Sequence, residues 1–425
     1  MVESNKPSVL DGLLFPKVFQ TFRIAIQPTK LITSFAAIVL ICGVGKVMDV
    51  SKTVIKAGPG HITELYIYVS DPDALPEYME ANKGNEHRAG VFSTLWHFGS
   101  DRFNSSLRSL FQFDLLGIAG NIVQCFEAAE WAARYHSIYT IIFFAVSLAV
   151  MSVAGGAVCR VAALQFARGE KPGLTDALLF STKKFAGFFT APLVPAGIII
   201  FVGLFISVLG LVGNIPFAGE LLIGLCMPLT LFVGALMTVI AIGAVAGFNL
   251  MFPTIAYEDS DSFDAMSRSY SYIYAKPWHM GFYSAIAVIY GAICYLFVRL
   301  FAFLSLWISR LFLELGVLGG NSKLAVIWHE PTFTDFLGLP VSTSEGWSLV
   351  AAGVLTRLFT LAVLGLLASF LISFYFSANA IIYALMRNKV DNTALQDVYV
   401  HSVSDETHTH AQNSGLRGGE AVPSE

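Results

Sequence analysis

Charge is the property that this sequence has least of. Only 13% of its 425 residues are charged, whereas 55% are hydrophobic. Soluble domains carry about 25% charged residues, so the composition excludes an ordinary soluble domain. The formal net charge of −4 at pH 7 is small, and it excludes the strongly basic surface by which many proteins bind nucleic acid. We therefore expect no nucleic-acid partner.

The sequence is also poor in cysteine and in signatures of catalysis. Its five cysteines show neither C-x-x-C nor zinc-ligand spacing, so neither a disulfide framework nor a zinc site is predicted. The chain contains no G-x-S-x-G elbow, no H-E-x-x-H helix and no glycine loop of the kind that binds phosphate. We therefore predict no catalytic residue, no metal and no cofactor, and we expect a protein that is not an enzyme.

What the chain has instead is long apolar runs. A helix needs about 20 apolar residues to cross the hydrocarbon core of a bilayer. Six segments are long enough, which predicts an all-α, polytopic transmembrane helical bundle of about six spans with interfacial amphipathic helices. The predicted spans are residues 31–50, 137–159, 186–212, 220–252, 279–308 and 348–386.

The orientation follows from the first run and from the positive charges. The first apolar run begins near Leu31, too late for a secretory signal peptide, so residues 31–50 are expected to remain as the first span. Lysine and arginine are more frequent in the short segments on the same side as the N-terminus. Because such residues stay on the cytosolic side, both termini are predicted to be cytosolic in a bacterial-type inner membrane.

The polar segments divide the chain further. Phe103, Leu107, Leu110 and Phe111 recur at helical spacing, which predicts amphipathic helices after the first span. Beyond about Asn392 the apolar content falls, which predicts disorder. The chain is therefore divided into a cytosolic amphipathic N-terminal segment (1–30), the first span (31–50), an outer-face loop with amphipathic helices (51–136), a four-span core of two related hairpins (137–309), an outer loop (310–347), the last long span (348–391) and a disordered cytosolic tail (392–425).

Two connectors between spans look like copies of each other. Residues 176–181 (DALLFS) align with residues 264–269 (DAMSRS), 88 positions later, which predicts a duplicated hairpin. In the second connector, Phe263, Met266, Tyr270, Ile273 and Tyr274 form one apolar helix face. These helices either lie on the bilayer and merely join spans, or they form a docking surface for a lipid headgroup or a cytosolic partner. The candidate functional residues of such a surface are Asp176, Asp264 and Arg268.

The second connector carries a family resemblance. The run Pro253-x4-Glu258, followed by Asp264-Ala265-x3-Ser269, resembles a pattern in bacterial polytopic membrane proteins of unassigned function. It is similar to the membrane domain attached to some glycerophosphodiester phosphodiesterases. The likeness covers about residues 137–300, and the soluble phosphodiesterase module has no counterpart in this chain. The resemblance therefore implies a membrane architecture and transfers no activity.

Three charged residues lie within or beside the apolar runs. Arg299 and Arg357 interrupt two of them, and Glu220 ends the turn that joins the third and fourth spans. A charge at mid-bilayer is costly and is usually functional, but long side chains also extend to the interface. Each feature has two open interpretations. The arginines either contact outer headgroups or line an outward vestibule for an anion, and the turn is either simply tight or part of a re-entrant element.

Taken together, these features favour a non-enzymatic integral membrane protein that organises or assembles with other membrane components. Its expected partners are membrane lipids, a membrane-protein partner or a second copy of the chain. The alternative is a transporter or channel for a small anionic solute or lipid, which the repeat and the two arginines would favour.

Overall fold

The computed structural model describes residues 14–57, 62–84, 87–316, 322–337 and 346–399, and nearly all of them are helical. The fold is therefore the predicted all-α bundle. The helices are α1 Thr21–Ala25, α2 Pro28–Met48, α3 Glu64–Ser70, α4 Leu75–Ala81, α5 Val91–Phe111, α6 Leu115–Tyr135, α7 Ser137–Arg168, α8 Leu174–Lys183, α9 Phe185–Thr190, α10 Val194–Val212, α11 Ala218–Glu258, α12 Ser262–Ala275, α13 Pro277–Gly316, α14 Ser322–Ile327 and α15 Trp347–Asp391. The strands are β1 Thr53–Ala57, β2 Ile62–Thr63 and β3 Arg88–Gly90.

Six helices in the described part of the chain are long and apolar enough to cross a membrane, namely α2, α7, α10, α11, α13 and α15. This confirms the six predicted spans, although their bounds differ. The 45 residues of α15 extend about 68 Å at 1.5 Å per residue, roughly twice the thickness of the hydrocarbon core. Long helices such as α15 therefore continue beyond any one crossing.

The predicted span 186–212 is wrong at its start. The structure divides it into α9, which ends at Thr190, and α10, which begins at Val194. Pro192 and Pro195 flank this break, and proline lacks the N–H that a continuous helix needs. Because the sequence stays apolar through this break, hydrophobicity alone did not predict it.

Much of the buried core lies at one end of the bundle. We call it the connector end and define it by residues 168–193, 258–277 and 392–399. The last turns of α7, α11 and α15 meet there, and small residues let their backbones approach closely. A Cβ atom on Gly156 would lie 2.7 Å from the ring of Phe188, and one on Gly155 would lie 2.4 Å from the ring of Phe376. These glycines are therefore close-packing positions.

The second connector helix, α12, packs back along α11. A Cβ atom on Gly243 would lie 2.9 Å from the ring of Tyr270, and one on Gly247 would lie 3.0 Å from Ile273. The predicted apolar face of α12 is therefore divided, because Ile273 is buried whereas Phe263 is 62% exposed. The helix docks against the bundle rather than lying with one whole face on a bilayer.

The described residues of 51–136, which we call the 51–136 segment, form a small folded unit. β1 pairs antiparallel with β2 and β3, with Lys56 opposite Thr63 and Val54 opposite Ala89. The predicted amphipathic helices are α5 and α6, which pack as an antiparallel pair, whereas the sheet was not predicted. Its own apolar core includes the buried side chains of Val54, Leu65, Phe98 and Trp131.

Asp49 fixes the 51–136 segment to the end of α2. Its carboxylate accepts hydrogen bonds from the N–H groups of Phe92, at 2.7 Å, and Ser93, at 3.1 Å. These N–H groups belong to the first turn of α5, where a helix lacks internal acceptors and attracts negative charge. A single aspartate thus sets the direction in which α5 leaves the bundle.

A buried carboxyl in the 51–136 segment makes its stability depend on pH. Glu64 is 4% exposed, and the N–H of Ile55 donates to its Oε1 atom at 2.7 Å. Burial raises the pKa of Glu64 above 4.5, although the Ile55 hydrogen bond and nearby Arg88 oppose the change. The folded state then holds its proton more tightly than the unfolded state, so ionisation at higher pH destabilises the fold.

We therefore expect the unfolding free energy to rise as the pH is lowered from neutral through the pKa that Glu64 has in the folded state. Below the pKa that Glu64 has in the unfolded state, this group should add no further stability. The variant Glu64→Gln keeps an acceptor oxygen but cannot ionise, so it should be more stable than the wild type at neutral pH. The measurement is the melting temperature of both proteins between pH 7 and pH 4. Glu77→Gln, at an exposed position, is the control, and equal pH slopes for wild type and Glu64→Gln would contradict the expectation.

Candidate functional site

The main polar cluster of the connector end is built around Glu258, the last residue of α11. Asp259 adopts a left-handed conformation with φ of 57°, which reverses the chain. The carboxylate of Asp261 then accepts the N–H of Asp264 at 2.8 Å and so starts α12. This tight reversal brings Arg268 of α12 back to Glu258, with 2.5 Å between Nη1 and Oε2.

The same carboxylate is bound from α15. Arg387 Nε lies 2.9 Å from Glu258 Oε1, and the hydroxyl of Tyr383 donates to that oxygen at 2.6 Å. The side chain of Glu258 is 10% exposed, so these bonds form away from bulk water. Glu258 therefore ties the ends of α11, α12 and α15 together through two cations and one hydroxyl.

Two of the predicted candidates, Asp264 and Arg268, belong to this cluster. Arg268 Nε lies 3.1 Å and 3.0 Å from the two carboxylate oxygens of Asp264, one helical turn away. Arg268 thus bridges Glu258 and Asp264 and has little freedom to bind another anion. Asp176, the predicted counterpart of Asp264, is exposed in the first turn of α8 and lies outside the cluster.

The two connectors also differ in shape. The first consists of the short helices α8 and α9, whereas the second is the single helix α12. They meet through an ion pair, in which Lys184 Nζ lies 3.0 Å from Asp259 Oδ1 and also donates to the backbone oxygen of Asp259 at 2.6 Å. They also share the buried apolar cluster that contains Phe188 and Ala265. The predicted duplication therefore stays a prediction. Lys184 and Asp259, which join the connectors, both lie outside the aligned segments 176–181 and 264–269.

Residues 392–399, which we call the C-terminal strap, fold back over the connector end. Arg160 donates to the backbone oxygens of Ala256 at 2.7 Å and Tyr399 at 2.8 Å, and Arg168 donates to that of Val398 at 3.0 Å. The N–H of Tyr399 donates to Tyr257 at 2.9 Å. The prediction of a disordered tail is therefore wrong for residues 392–399, and residues 400–425 lie outside the described residues.

Arg299 is buried near the middle of α13, and its side chain is fully engaged. It donates to the backbone oxygens of Phe333 at 2.9 Å and Thr334 at 3.1 Å, and to the hydroxyl of Tyr295 at 2.9 Å. Asn104 of α5 accepts a longer bond at 3.4 Å. At 3% exposed, Arg299 does not reach lipid headgroups, so that interpretation is wrong for this arginine. Its guanidinium binds two other segments of the chain to α13.

The other two charged candidates lie elsewhere. Arg357 is half-buried on α15, and Glu220 is exposed in the first turn of α11. Neither residue is among the groups that bond to Arg299 in the described structure. The contacts of Arg299 therefore give no support to a vestibule that both arginines would line.

Two crevices open between the long helices, and both are apolar. One, of about 420 Å³, lies between α7, α11 and α15, and the other, of about 450 Å³, lies between α10 and α11. Arg299, Arg357 and Glu220 line neither of them. In the ranges that the structure describes, no three histidine, cysteine, aspartate or glutamate side chains are grouped as metal ligands.

Sequence reasoning missed the residues that complete the Glu258 cluster. Glu258 itself was part of the quoted motif, but its partners Tyr383 and Arg387 lie in the last helix, and Tyr383 is 125 residues away. Arg160 and Lys184 entered only as positive charges that indicate orientation. The sequence did contain one signal for such a cluster, namely a single charge in the last turns of an otherwise apolar helix. Because a buried charge requires a partner, that charge predicts an ion pair with another element.

The motif that carried the family resemblance is thus largely structural in this chain, because Glu258, Asp264 and Ser269 all pack within the connector end. No family model, no curated protein and no solved structure matches this chain, so its resemblance to membrane domains of glycerophosphodiester phosphodiesterases stays a prediction.

Proposed function

We propose that this chain is a non-enzymatic integral membrane protein that assembles with a partner membrane protein through α10 and the first part of α11. We call this pair, residues 194–242, the free hairpin. In the most apolar stretch of α10 and of α11, only 6% of residues are buried within the protein, against 22–33% in the other four long helices. This exposure is the observation that carries the proposal.

The glycines of the free hairpin support a protein partner over lipid alone. At four glycines of the free hairpin, no atom lies within 4 Å of the place where a Cβ would be: Gly197, Gly210, Gly224 and Gly234. At Gly243, farther along α11, the ring of Tyr270 occupies that space. A glycine within a helix costs about 1 kcal/mol relative to alanine. In membranes such positions let two helix backbones approach closely, which lipid chains do not require.

The alternative, a transporter or channel for an anion, has less support. Arg299 already binds backbone oxygens of the 328–337 segment, and Arg268 is paired with two carboxylates. The two crevices carry no charged lining residue. An anion path would need these arginines released or a polar opening elsewhere in the bundle.

The proposal includes a location in a bacterial-type inner membrane with both termini cytosolic. The connector end would then face the cytosol, and the arginines and lysines gathered there, Arg160, Arg168, Lys184, Arg268 and Arg387, support that orientation. Membrane lipids would cover the rest of the apolar surface. The duplication of the two hairpins remains part of the proposal, supported by the alignment of 176–181 with 264–269.

The proposal is tested by photo-crosslinking in native membranes. A photoreactive amino acid at Leu204 or Leu225, which are 58% and 77% exposed, should yield a defined adduct with one membrane protein. The same residue at Phe359 on α15, 67% exposed, should give mainly lipid adducts. Adducts identified by mass spectrometry name the partner, and a crosslink between two copies of the chain would identify a homo-oligomer.

Glycine variants provide the second arm of this test. Gly210→Leu and Gly224→Leu should lower co-purification of the partner at least ten-fold, because the added side chains hold the backbones apart. Gly281→Leu is the matched control, since its Cβ also meets no atom within 4 Å but lies on α13. A monomeric protein that gives no protein adduct and transports a small anion only with Arg299 intact would contradict assembly and favour transport.

A further inference from the structure

The crevice between α7, α11 and α15 has the form of a binding site for a chain molecule. Its floor is made of Phe252 and Phe376, each 6% exposed, and its rim includes Phe144, 57% exposed, and Phe248, 46% exposed. A volume of about 420 Å³ is within the range of ligand pockets. The rim lies on helices that can cross a membrane, so lipid hydrocarbon is the medium that surrounds it.

Three lining residues carry polar side-chain groups: Ser147, whose hydroxyl oxygen is itself buried from the crevice, and the pair Asn249 and Tyr375. The hydroxyl of Tyr375 donates a hydrogen bond to Oδ1 of Asn249, and both side chains line the crevice. With Oδ1 accepting from Tyr375, the nitrogen of the same amide is the donor that remains on Asn249. Within the described ranges no group accepts a hydrogen bond from that nitrogen. An unpaired amide donor beside hydrocarbon is unfavourable and favours a ligand that carries an acceptor oxygen.

The position of the pair along the crevice indicates which molecule fits. Asn249 lies nine residues before Glu258, about 13 Å from the connector end along α11. On α7 the crevice is lined by Phe144 and Leu148, which lie far from Arg168 at the connector end. Asn249 lies one helical turn from Phe252, the lining residue of α11 closest to the connector end, and apart from Ser147 the lining on α7 is apolar. This is the order of an ester carbonyl followed by an acyl chain.

We propose that this crevice binds one acyl chain of a membrane glycerolipid, drawn from the leaflet on the side of the connector end, with its ester carbonyl accepting a hydrogen bond from Asn249 Nδ2. The aromatic floor of Phe252 and Phe376 contacts the chain. This inference is independent of the assembly proposal, because the open glycines of the free hairpin do not line the crevice.

The experiment reconstitutes the full chain in vesicles that contain a phosphatidylethanolamine with a photoreactive diazirine in mid-chain. After irradiation, peptide mass spectrometry should place most labels on the crevice helices near Met151, Leu371 and Ile372. The same probe with an ether in place of the ester lacks the carbonyl acceptor. It should label these positions about five-fold less, the size expected from losing one hydrogen bond.

Two variants and a control complete the design. Asn249→Leu should reduce labelling by the ester probe about as much as the ether does, and it should no longer distinguish the two probes. Leu148→Trp should reduce labelling by both probes, because it fills the crevice. Thr238→Val, on an exposed face of α11 outside the crevice, should change nothing.

The wild-type comparison alone can overturn the proposal, even if Asn249→Leu fails to fold. Equal labelling by ester and ether probes would exclude the Asn249 hydrogen bond. Labels spread evenly over the six long helices would exclude a defined acyl site. Since partner crosslinks at Leu204 and Leu225 are scored separately, either failure is distinguishable from a failure of the assembly proposal.

Discussion

Replacing Glu258 by glutamine is expected to lower the free energy of unfolding by about 3 kcal/mol. Removing one partner of a buried ion pair typically costs this much, because the remaining charge is left uncompensated. Here two cations lose their carboxylate, Arg268 on α12 and Arg387 on α15, and the side chain of Glu258 is 10% exposed. The measurement is the unfolding free energy in mixed detergent micelles, followed by tryptophan fluorescence.

Asp264→Asn is the matched control for this prediction. Asp264 is 43% exposed and pairs with Arg268 one turn away, so the loss should stay below about 1 kcal/mol. Both variants leave the contact between Arg387 and Asp397 in place. Equal losses for Glu258→Gln and Asp264→Asn would mean that the Glu258 cluster adds no more than an ordinary surface ion pair.

The six spans were predictable because apolar length is a local property of the sequence. Each predicted run falls within one long helix, apart from the proline break before α10 and the last two residues of the first run, which lie beyond the end of α2. The ends were less accurate, since α7, α11 and α15 continue as helices beyond their apolar runs and pack against one another there. That extension depends on tertiary contacts, to which a hydropathy pattern is insensitive.

The position of Arg299 could not be deduced from its own helix. The sequence suggested an arginine that either contacts outer headgroups or lines an outward vestibule for an anion. Its actual partners are Asn104, 195 residues earlier, and the backbone of residues 333–334. Backbone oxygens leave no signature in the side-chain pattern, so only the folded chain reveals that they satisfy this charge.

The C-terminal strap was missed for the same physical reason. Low apolar content predicted disorder after Asn392, but Arg160 and Arg168 bind the backbone oxygens of the strap. Because these two arginines bind backbone oxygens, their contacts depend on the path of the strap and only weakly on its side chains. Its apolar contributions are Val398, which is 2% exposed, and Leu395, which packs partly buried against the same core.

The Trp131→Ala variant is expected to unfold the 51–136 segment while leaving the bundle intact. Trp131 is fully buried, packs beside the ring of His136 at 4.9 Å between centroids and belongs to the core that includes Leu65 and Phe98. Truncating a buried tryptophan to alanine costs about 4 kcal/mol, from lost burial and from the cavity left behind. A unit as small as this one, with one short sheet and a few helices, has little stability to spare.

Limited proteolysis of the reconstituted protein measures this effect. The variant should be cut within residues 51–136 at least ten-fold faster than the wild type, whereas fragments that contain α7 to α15 stay protected. Trp96→Ala is the control, because Trp96 is 45% exposed on α5 and its loss should change the rate little. Unchanged cleavage of Trp131→Ala would mean that α5 and α6 are held by Asp49 and Arg299 alone, because those two anchors do not depend on the core around Trp131.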